Sequence, residues 1–128
     1  MRAEIKFVKT KDFIKTTASG QLNLQESKNV LTKLAVLNSP GNSHDLLIDI
    51  RDTTSVLSLS DIYELVAEVG KLRHAFRSKI AILIGPKHDI DKARFLEMCA
   101  SNCGFTVNVF EDFEESVNWL ICTDDSEI

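Results

Sequence analysis

The amino-acid sequence predicts an α/β fold built on a single layer, a five-stranded mixed sheet that is mostly parallel and is flanked by helices. Two largely apolar runs, Leu46–Ile50 and Lys79–Ile84, have the pattern of strands buried on both faces, as in parallel sheets. Segments with helical periodicity alternate with these strands, which requires parallel crossover connections. Two shorter strand patterns at the N-terminus predict a hairpin, which adds one antiparallel strand. The predicted order is therefore ββαβαβαβα.

The N-terminal third contains the predicted hairpin and the first helix. Residues 4–9 and 12–18 alternate partially between apolar and polar side chains, which is typical of a hairpin with one solvated face, and Ser19-Gly20 is predicted to end it. Apolar residues at steps of three and four predict a helix from about Leu24 to Leu37. Residues 38–43, Asn-Ser-Pro-Gly-Asn-Ser, are the strongest turn signal in the chain.

The central strand is followed by a polar, hydroxyl-rich segment, Arg51–Ser60, which is predicted to be a loop. The helix after it has the clearest apolar pattern of the chain, formed by Ile62, Leu65, Val66, Val69 and Leu72. Ser58 and Asp61 are three residues apart and resemble a capping box at the start of this helix, and Ser60 is the competing N-cap.

A third helix is predicted after the strand that Gly85-Pro86 ends, with Asp89 or Asp91 as its cap. Its apolar stripe consists of Phe95, Leu96, Cys99, Ala100 and Cys103. Gly104 stands where the residue after a helix C-cap belongs.

The chain closes with a strand at residues 105–110 and a short amphipathic helix. The apolar residues of that helix are Phe113, Val117, Leu120 and Ile121, and acidic residues occupy its first turn, where the helix dipole favours them. Trp119 interrupts the stripe and is interpreted as closing the edge of the core, with a contact patch as the alternative.

Length and composition predict one domain over residues 1–122, followed by an acidic tail at 123–128. A chain of 128 residues with 44% hydrophobic and 27% charged residues is unlike disordered proteins. No stretch approaches the roughly 20 apolar residues that a membrane span requires. The first residues lack the apolar core of a signal peptide, so we expect a cytoplasmic protein.

The charge distribution and the cysteines predict neither nucleic-acid binding nor a metal site. Seven acidic residues and no basic ones fall within residues 111–128, and such a segment repels phosphate backbones. Cys99 and Cys103 share a helix face without a third ligand at suitable spacing, so they are interpreted as small buried apolar residues. With Cys122 they make an odd number of thiols, which we expect to be reduced, and no cofactor is predicted.

Ligands of parallel sheets bind beyond the carboxyl ends of the strands, which places a site at the segments 51–60 and 85–91. The site residues predicted there, for a ligand or a partner, are Arg51, Asp52, Ser58, Ser60, Asp61 and His88. For Arg51 and Asp52, a local ion pair or a loop cap is favoured over the anchoring of an anion.

Three segments resemble the bacterial SpoIIAA-like (STAS/SEC14) family and its relatives, the STAS-domain anti-sigma-factor antagonists. The first is Leu46–Asp52, an apolar strand that ends in an Asp-x-Arg-Asp turn, and the second is the strand Lys79–Ile84. The third runs from Val109 to Leu120 and is similar to an ending with Trp-Leu, with Ser116 where the family commonly has alanine. The resemblance covers residues 3–121 and implies a SpoIIAA-like fold.

The resemblance also implies a regulatory or protein-binding role without catalysis. In one branch of the family, a serine within Asp-Ser-Ser-Gly at the start of the helix after the central strand is phosphorylated. Here the matching residues 57–60 are Leu-Ser-Leu-Ser, which lack the acid and the glycine, and Ser58 is nearest to the phosphorylated position. A phosphate at a helix N-terminus is chemically favourable.

Three functions remain open from the sequence. The first is the regulatory module, which would bind a protein partner or a second copy of itself through the second helix and the preceding loop. The second is a carrier of a small apolar, lipid-like ligand, which needs a pocket of at least about 300 Å³. The third is a hydrolase in which Ser58 is the nucleophile and His88 the base.

Overall fold

Five strands form one mixed sheet in which their spatial order follows their order in the chain. The structure is a computed structural model that describes residues 4–38, 44–55 and 57–121. The strands are β1 (Glu4–Lys9), β2 (Phe13–Leu22), β3 (Asp45–Ser55), β4 (Lys79–Leu83) and β5 (Thr106–Phe110). The β1–β2 pair is antiparallel and the pairs β2–β3, β3–β4 and β4–β5 are parallel. The predicted mixed, mostly parallel sheet is therefore confirmed.

Helices cover both faces of this sheet. They are α1 (Leu24–Leu37), α2 (Leu59–Lys71), α3 (Ile90–Asn102) and α4 (Phe113–Ile121), with a short 3₁₀ turn at Arg73–Ala75. Strands β2 to β5 advance in one direction across the sheet, and right-handed crossovers then place α1, α2 and α3 on the same face. The last helix, α4, packs on the opposite face against β3, β4 and β5.

The two faces of the sheet have separate cores because successive strand residues point to opposite sides. On the α1–α3 face, Leu46 of β3 packs with a cluster that includes Ile14, Leu34 and Phe76. On the α4 face, its neighbour Leu47 packs with Leu83 and Leu120 among others. Leu46 and Leu47 are each at most 1% exposed, which is the double-sided burial that the apolar run predicted.

Two predicted strand boundaries are wrong, and for one reason. Ser19-Gly20 does not end β2, which continues to Leu22, and the first half of the segment predicted as a loop, residues 51–55, belongs to β3. The two extensions pair with each other, Gly20 with Thr53 and Leu22 with Ser55. Gly20 supplies the positive φ of 94° that side chains disfavour. Both segments were predicted to leave the sheet because of their local polarity, but pairing between residues far apart in the chain makes them strands.

The predictions for the two ends of α3 and for Trp119 are confirmed. Gly104 has a φ of 90° and follows the C-cap of α3, as its position predicted. Asp89 is the N-cap of α3, which settles the choice between Asp89 and Asp91. Trp119 is half-buried and packs on Phe110 at 5.6 Å between ring centroids, so it closes the core edge.

The cysteines agree with prediction only in part. Cys99 is buried, as expected, but Cys103 is exposed and therefore is not part of the apolar stripe, because it lies at the C-cap of α3, where the helix leaves the sheet. Residues 39–43 of the predicted turn, Cys122 and the acidic tail lie outside the described residues.

Candidate functional site

A groove lies at the carboxyl ends of β3 and β4, between the N-terminal ends of α2 and α3. Its volume is about 270 Å³. Apolar residues such as Leu65, Ile82 and Leu96 form its base, and the polar residues that line it are Thr53, Thr54, Lys87, His88, Asp89 and Lys92. Lys92 Nζ donates to the carbonyl of Leu57 at 2.7 Å and so ties α3 to the segment before α2. The edge predicted from the strand order exists, and His88 is the predicted site residue that lines the groove.

A β-bulge places Thr53 in the groove. Thr17 pairs with Asp49, whereas Ser19 pairs with Asp52, so β3 has one more residue than β2 between these pairs. In a regular strand, Ile50 and Thr53 would point to opposite faces, but with the extra residue both line the groove on the α1–α3 side. Sequence reasoning missed Thr53, since a bulge depends on the register of a distant strand.

His88 joins the loop before α3 to this bulged strand. Its Nδ1 accepts a hydrogen bond from the Gly85 amide at 3.0 Å, so the neutral ring carries its proton on Nε2. Nε2 donates to Thr53 Oγ1 at 3.1 Å, and the Thr53 hydroxyl donates to the Ile50 carbonyl at 2.7 Å. Both ring nitrogens are therefore engaged in holding the edge of the groove together.

Ser58, Ser60 and Asp61 lie at the first turn of α2. Ser58 is the N-cap: its Oγ accepts from the Asp61 amide and its own amide donates to the Asp61 carboxylate, both at 3.1 Å. The predicted capping box is confirmed. Ser60, the competing cap, is an exposed residue inside the helix.

Arg51 and Asp52 are strand residues of β3, not loop residues at the groove. Arg51 points to the α4 face, where its Nε and Nη2 donate to the two carboxylate oxygens of Asp49 at 3.1 and 2.9 Å. Its guanidinium also lies 5.8 Å from the ring centre of Phe113. Asp52 is exposed. The favoured prediction of a local ion pair is correct for Arg51, although its partner is Asp49 rather than Asp52.

The Asp49 carboxyl is a buried charged group on this face of the sheet. It is only 5% exposed, and burial raises its pKa. Hydrogen bonds from the side chain and the amide of Arg51, with the positive charge of Lys15, more than offset burial and leave the pKa below the ordinary value. Asp49 is therefore a buried carboxylate held in place by Arg51.

The geometry does not support the hydrolase hypothesis. A nucleophile needs a base within hydrogen-bonding reach, oriented by a third group. Ser58 Oγ is instead bonded to the Asp61 amide, and the two nitrogens of His88 are bonded to Gly85 and Thr53. The predicted Ser58–His88 pair is not formed.

A second space, next to the groove, lies between the sheet and the three helices on its α1–α3 face. This cavity measures about 160 Å³, is lined almost entirely by apolar side chains, and shares wall residues with the groove, among them Thr53 and Leu65. Thr16 of β2 also lines it. Its side chain is fully buried, and its hydroxyl has no hydrogen-bond partner within the described part of the chain.

Helices α2 and α3, which pack side by side, carry large apolar side chains on the outside. Leu59 and Tyr63 of α2 are 51% and 66% exposed, and Met98 of α3 is 52% exposed. Leu59 and Tyr63 are four residues apart and hence neighbours on the helix surface. We call Leu59 and Tyr63 the outer apolar surface. The four-residue spacing was visible in the sequence, but the stronger stripe from Ile62 to Leu72 obscured it.

Neither a cluster of metal ligands nor a membrane-spanning helix is found among the described residues. Within residues 4–38, 44–55 and 57–121, three or more His, Cys, Asp or Glu side chains do not gather where they could hold a metal ion. The helices described there are too short or too polar to cross a membrane.

Comparisons with known proteins identify the fold. No family model and no curated protein matches the chain. An uncharacterized DUF3478-family protein from Shewanella loihica PV-4, which has a SpoIIAA-like fold, matches 92% of this chain with 93% of its own, at 19% identity and a TM-score of 0.58. The anti-sigma factor antagonist SpoIIAA, in its unphosphorylated form, matches 91% with 96% of its own, at 12% identity and a TM-score of 0.57. The chain has a SpoIIAA-like fold, as the sequence resemblance predicted.

Proposed function

We propose that the chain is a non-catalytic regulatory module of the cytoplasm that binds a protein partner through α2. The observation that carries this proposal is the outer apolar surface, which begins with Leu59, the residue immediately after the N-cap Ser58. Tyrosine is enriched at protein interfaces, and burial of the adjacent Leu59 and Tyr63 side chains on binding would stabilise a complex. The likeness to SpoIIAA, an anti-sigma factor antagonist, supports the regulatory role and makes an anti-sigma factor the first partner to test.

Charge defines the chemistry of the expected partner. Glu64 of α2 is exposed, follows Tyr63 in the helix and is paired with Lys28 of α1. Asp61, two residues from both Leu59 and Tyr63, adds a second acid at the start of the helix but faces away from them. A complementary partner therefore presents an apolar cleft with Lys or Arg at its rim. The same charges disfavour a second copy of this chain, whose α2 would bring its own acids to the contact.

The test combines capture of a partner with point variants of the surface. Anti-sigma factors encoded in the same genome are purified and tested for capture by the full chain. Each captured candidate is then titrated against wild type, Leu59→Ser and Tyr63→Ser. We expect each change to weaken binding about tenfold to a hundredfold, the usual effect at a central interface residue. Val36→Ser is the matched control, since Val36 is a 74% exposed apolar residue on α1.

Two results would contradict the proposal. One is a partner whose affinity is the same for the two α2 variants as for wild type. The other is a purified chain that elutes as a dimer and becomes monomeric in Leu59→Ser, which assigns the surface to self-association.

Phosphorylation of Ser58 is proposed as the regulation of this surface. The residue is exposed, and a phosphate there would meet the amides of the first turn, which favour anions. It would also displace the Asp61 carboxylate from the Ser58 amide and repel it. Ser58→Asp should therefore weaken partner binding, whereas Ser58→Asn, which keeps an N-cap without the charge, should not. Equal affinities for the two variants would exclude this regulation.

A further inference from the structure

We propose that the cavity between the sheet and helices α1–α3 binds a small, neutral, mainly apolar molecule that carries one hydrogen-bonding group, and that the Thr16 hydroxyl is the partner of that group. Phenol and short-chain alcohols have this chemistry. The cavity is separate from the proposed partner site. Leu65 and Val66, on the inner side of α2, line the cavity, whereas Leu59 and Tyr63 are on the exposed side of the same helix.

The size of the cavity decides the size of the ligand. An apolar cavity of about 150 Å³ in another protein stays dry and binds benzene. The present cavity, at about 160 Å³, therefore accommodates one six-membered ring or a comparably short chain. Neither it nor the adjoining groove of about 270 Å³ reaches the roughly 300 Å³ expected of a lipid-like carrier. The ligand proposed for this cavity is therefore smaller than the lipid-like molecule of the carrier hypothesis.

The Thr16 hydroxyl indicates that the ligand has a polar group. Thr16 is 0% exposed, and its Oγ1 lacks a hydrogen-bond partner among the described residues. Buried hydroxyls are nearly always hydrogen-bonded, since leaving one unpaired is unfavourable. Thr53, another hydroxyl in the lining, differs in that it is already bonded to Ile50 and His88.

A bound water explains the unpaired Thr16 hydroxyl less well than a mainly apolar ligand does. A buried water needs two to four polar partners, and the surface around Thr16 is almost entirely apolar. A ring with one hydroxyl or carbonyl would fill the apolar volume and bond Thr16, whose hydroxyl is closed off in this structure and must turn towards the ligand. The ligand would enter from the groove, whose wall is shared with the cavity at Leu65 and Thr53.

The experiment measures binding of two probes, phenol and benzene, to the full chain by saturation-transfer NMR and amide shift titration. The informative variant is Thr16→Val, which keeps the shape and removes the hydroxyl. We expect it to bind benzene like wild type and phenol about tenfold more weakly, the effect of one hydrogen bond. Its thermal unfolding midpoint without ligand should be equal or higher, because an unpaired buried hydroxyl is gone.

Two further variants complete the design. Thr17→Val makes the same substitution at the next residue, which points to the other face of the sheet, and should leave both probes unaffected. Ala18→Leu fills the cavity, where Ala18 is 2% exposed, and should abolish binding of both. If Ala18→Leu does not fold, the comparison of Thr16→Val with Thr17→Val still tests the proposal. The proposal is overturned if wild type binds neither probe, if phenol affinity is the same in Thr16→Val, or if only an ordered water occupies Thr16.

Discussion

Replacing Arg51 with methionine is expected to lower the free energy of unfolding and to change how that free energy depends on pH. The substitution removes the two guanidinium hydrogen bonds to Asp49 and keeps the residue 51 amide, which donates to Asp49 Oδ1 at 3.1 Å. The Asp49 side chain is 7% exposed, so its carboxylate cannot recover these bonds from bulk water.

The size of the effect follows from the exposure of the two partners. Removing one member of a fully buried ion pair costs about 3–5 kcal/mol, whereas an exposed pair contributes about 0–1 kcal/mol. The Arg51 side chain is 43% exposed and Asp49 is buried, which places this pair between those cases. We expect a loss of about 1–2 kcal/mol at neutral pH, once solvent screening of the guanidinium is included. Methionine resembles the unbranched stem of arginine but also lacks the guanidinium that lies 5.8 Å from the Phe113 ring centre.

The stability lost in Arg51→Met is also expected to depend on pH. In wild type the pKa of Asp49 lies below its ordinary value of 3.8, so ionised Asp49 stabilises the fold above that pH, and the stabilisation is lost as the pH falls through the folded value. Without the guanidinium, burial is opposed only by the residue 51 amide and Lys15, and the pKa rises. The difference in stability between wild type and Arg51→Met should therefore shrink on acidification.

The assay is urea unfolding followed by circular dichroism at about pH 6 and about pH 3, on either side of the ordinary carboxyl value. Arg77→Met is the matched control, because Arg77 is an exposed arginine, and it should change stability by less than about 0.5 kcal/mol. A constant difference between wild type and Arg51→Met at both pH values would refute the reasoning, since it would mean that Arg51 does not influence the ionisation of Asp49.

Two further substitutions test contacts that position the groove and the end of α1. Gly85→Ala would place a Cβ 2.9 Å from the backbone oxygen of Arg51, so the strands must shift; we expect a loss of about 1–3 kcal/mol and altered amide shifts at His88, and unchanged stability would show that the strands are free to move apart. Asn38→Ala removes three hydrogen bonds, two to the backbone of His44 and one to the carbonyl of Ala75, at a site 2% exposed. It should cost about 2–4 kcal/mol in thermal unfolding, while Asn29→Ala on the exposed face of α1 should cost less than about 0.5 kcal/mol.

The sequence could predict those features that depend on local pattern. A run such as Leu46–Ile50 can be satisfied only where both faces are covered, and this requirement alone predicts a central parallel strand. The capping box of Ser58 and Asp61 depends on a spacing of three residues, and the positive φ of Gly104 depends on its place after a helix. Each of these is decided within one element of the chain, so distant residues do not alter it.

The features that escaped prediction depend on residues far apart in the chain. Thr53 reaches the groove only because β3 holds one more residue than its partner β2 at the bulge. Arg51 contacts Asp49 on the α4 face because residues 51–55 continue the strand and do not form a loop. Thr16 in a polar-looking segment gives no sign of full burial, since a threonine on a half-solvated strand has the same pattern. Its unpaired hydroxyl is a result of how helices and sheet pack, which no local spacing encodes.

Helix α2 connects the two proposals physically. Its outer residues Leu59 and Tyr63 form the proposed partner surface, while Leu65, Val66 and Val69 on its inner side line the cavity. A ligand that shifts or stiffens the inner side acts on the same rigid element that the partner contacts. Linkage then requires that any factor by which phenol changes the affinity for the partner is the factor by which the partner changes the affinity for phenol. A partner that leaves phenol binding unchanged would show that the two sides of α2 act independently.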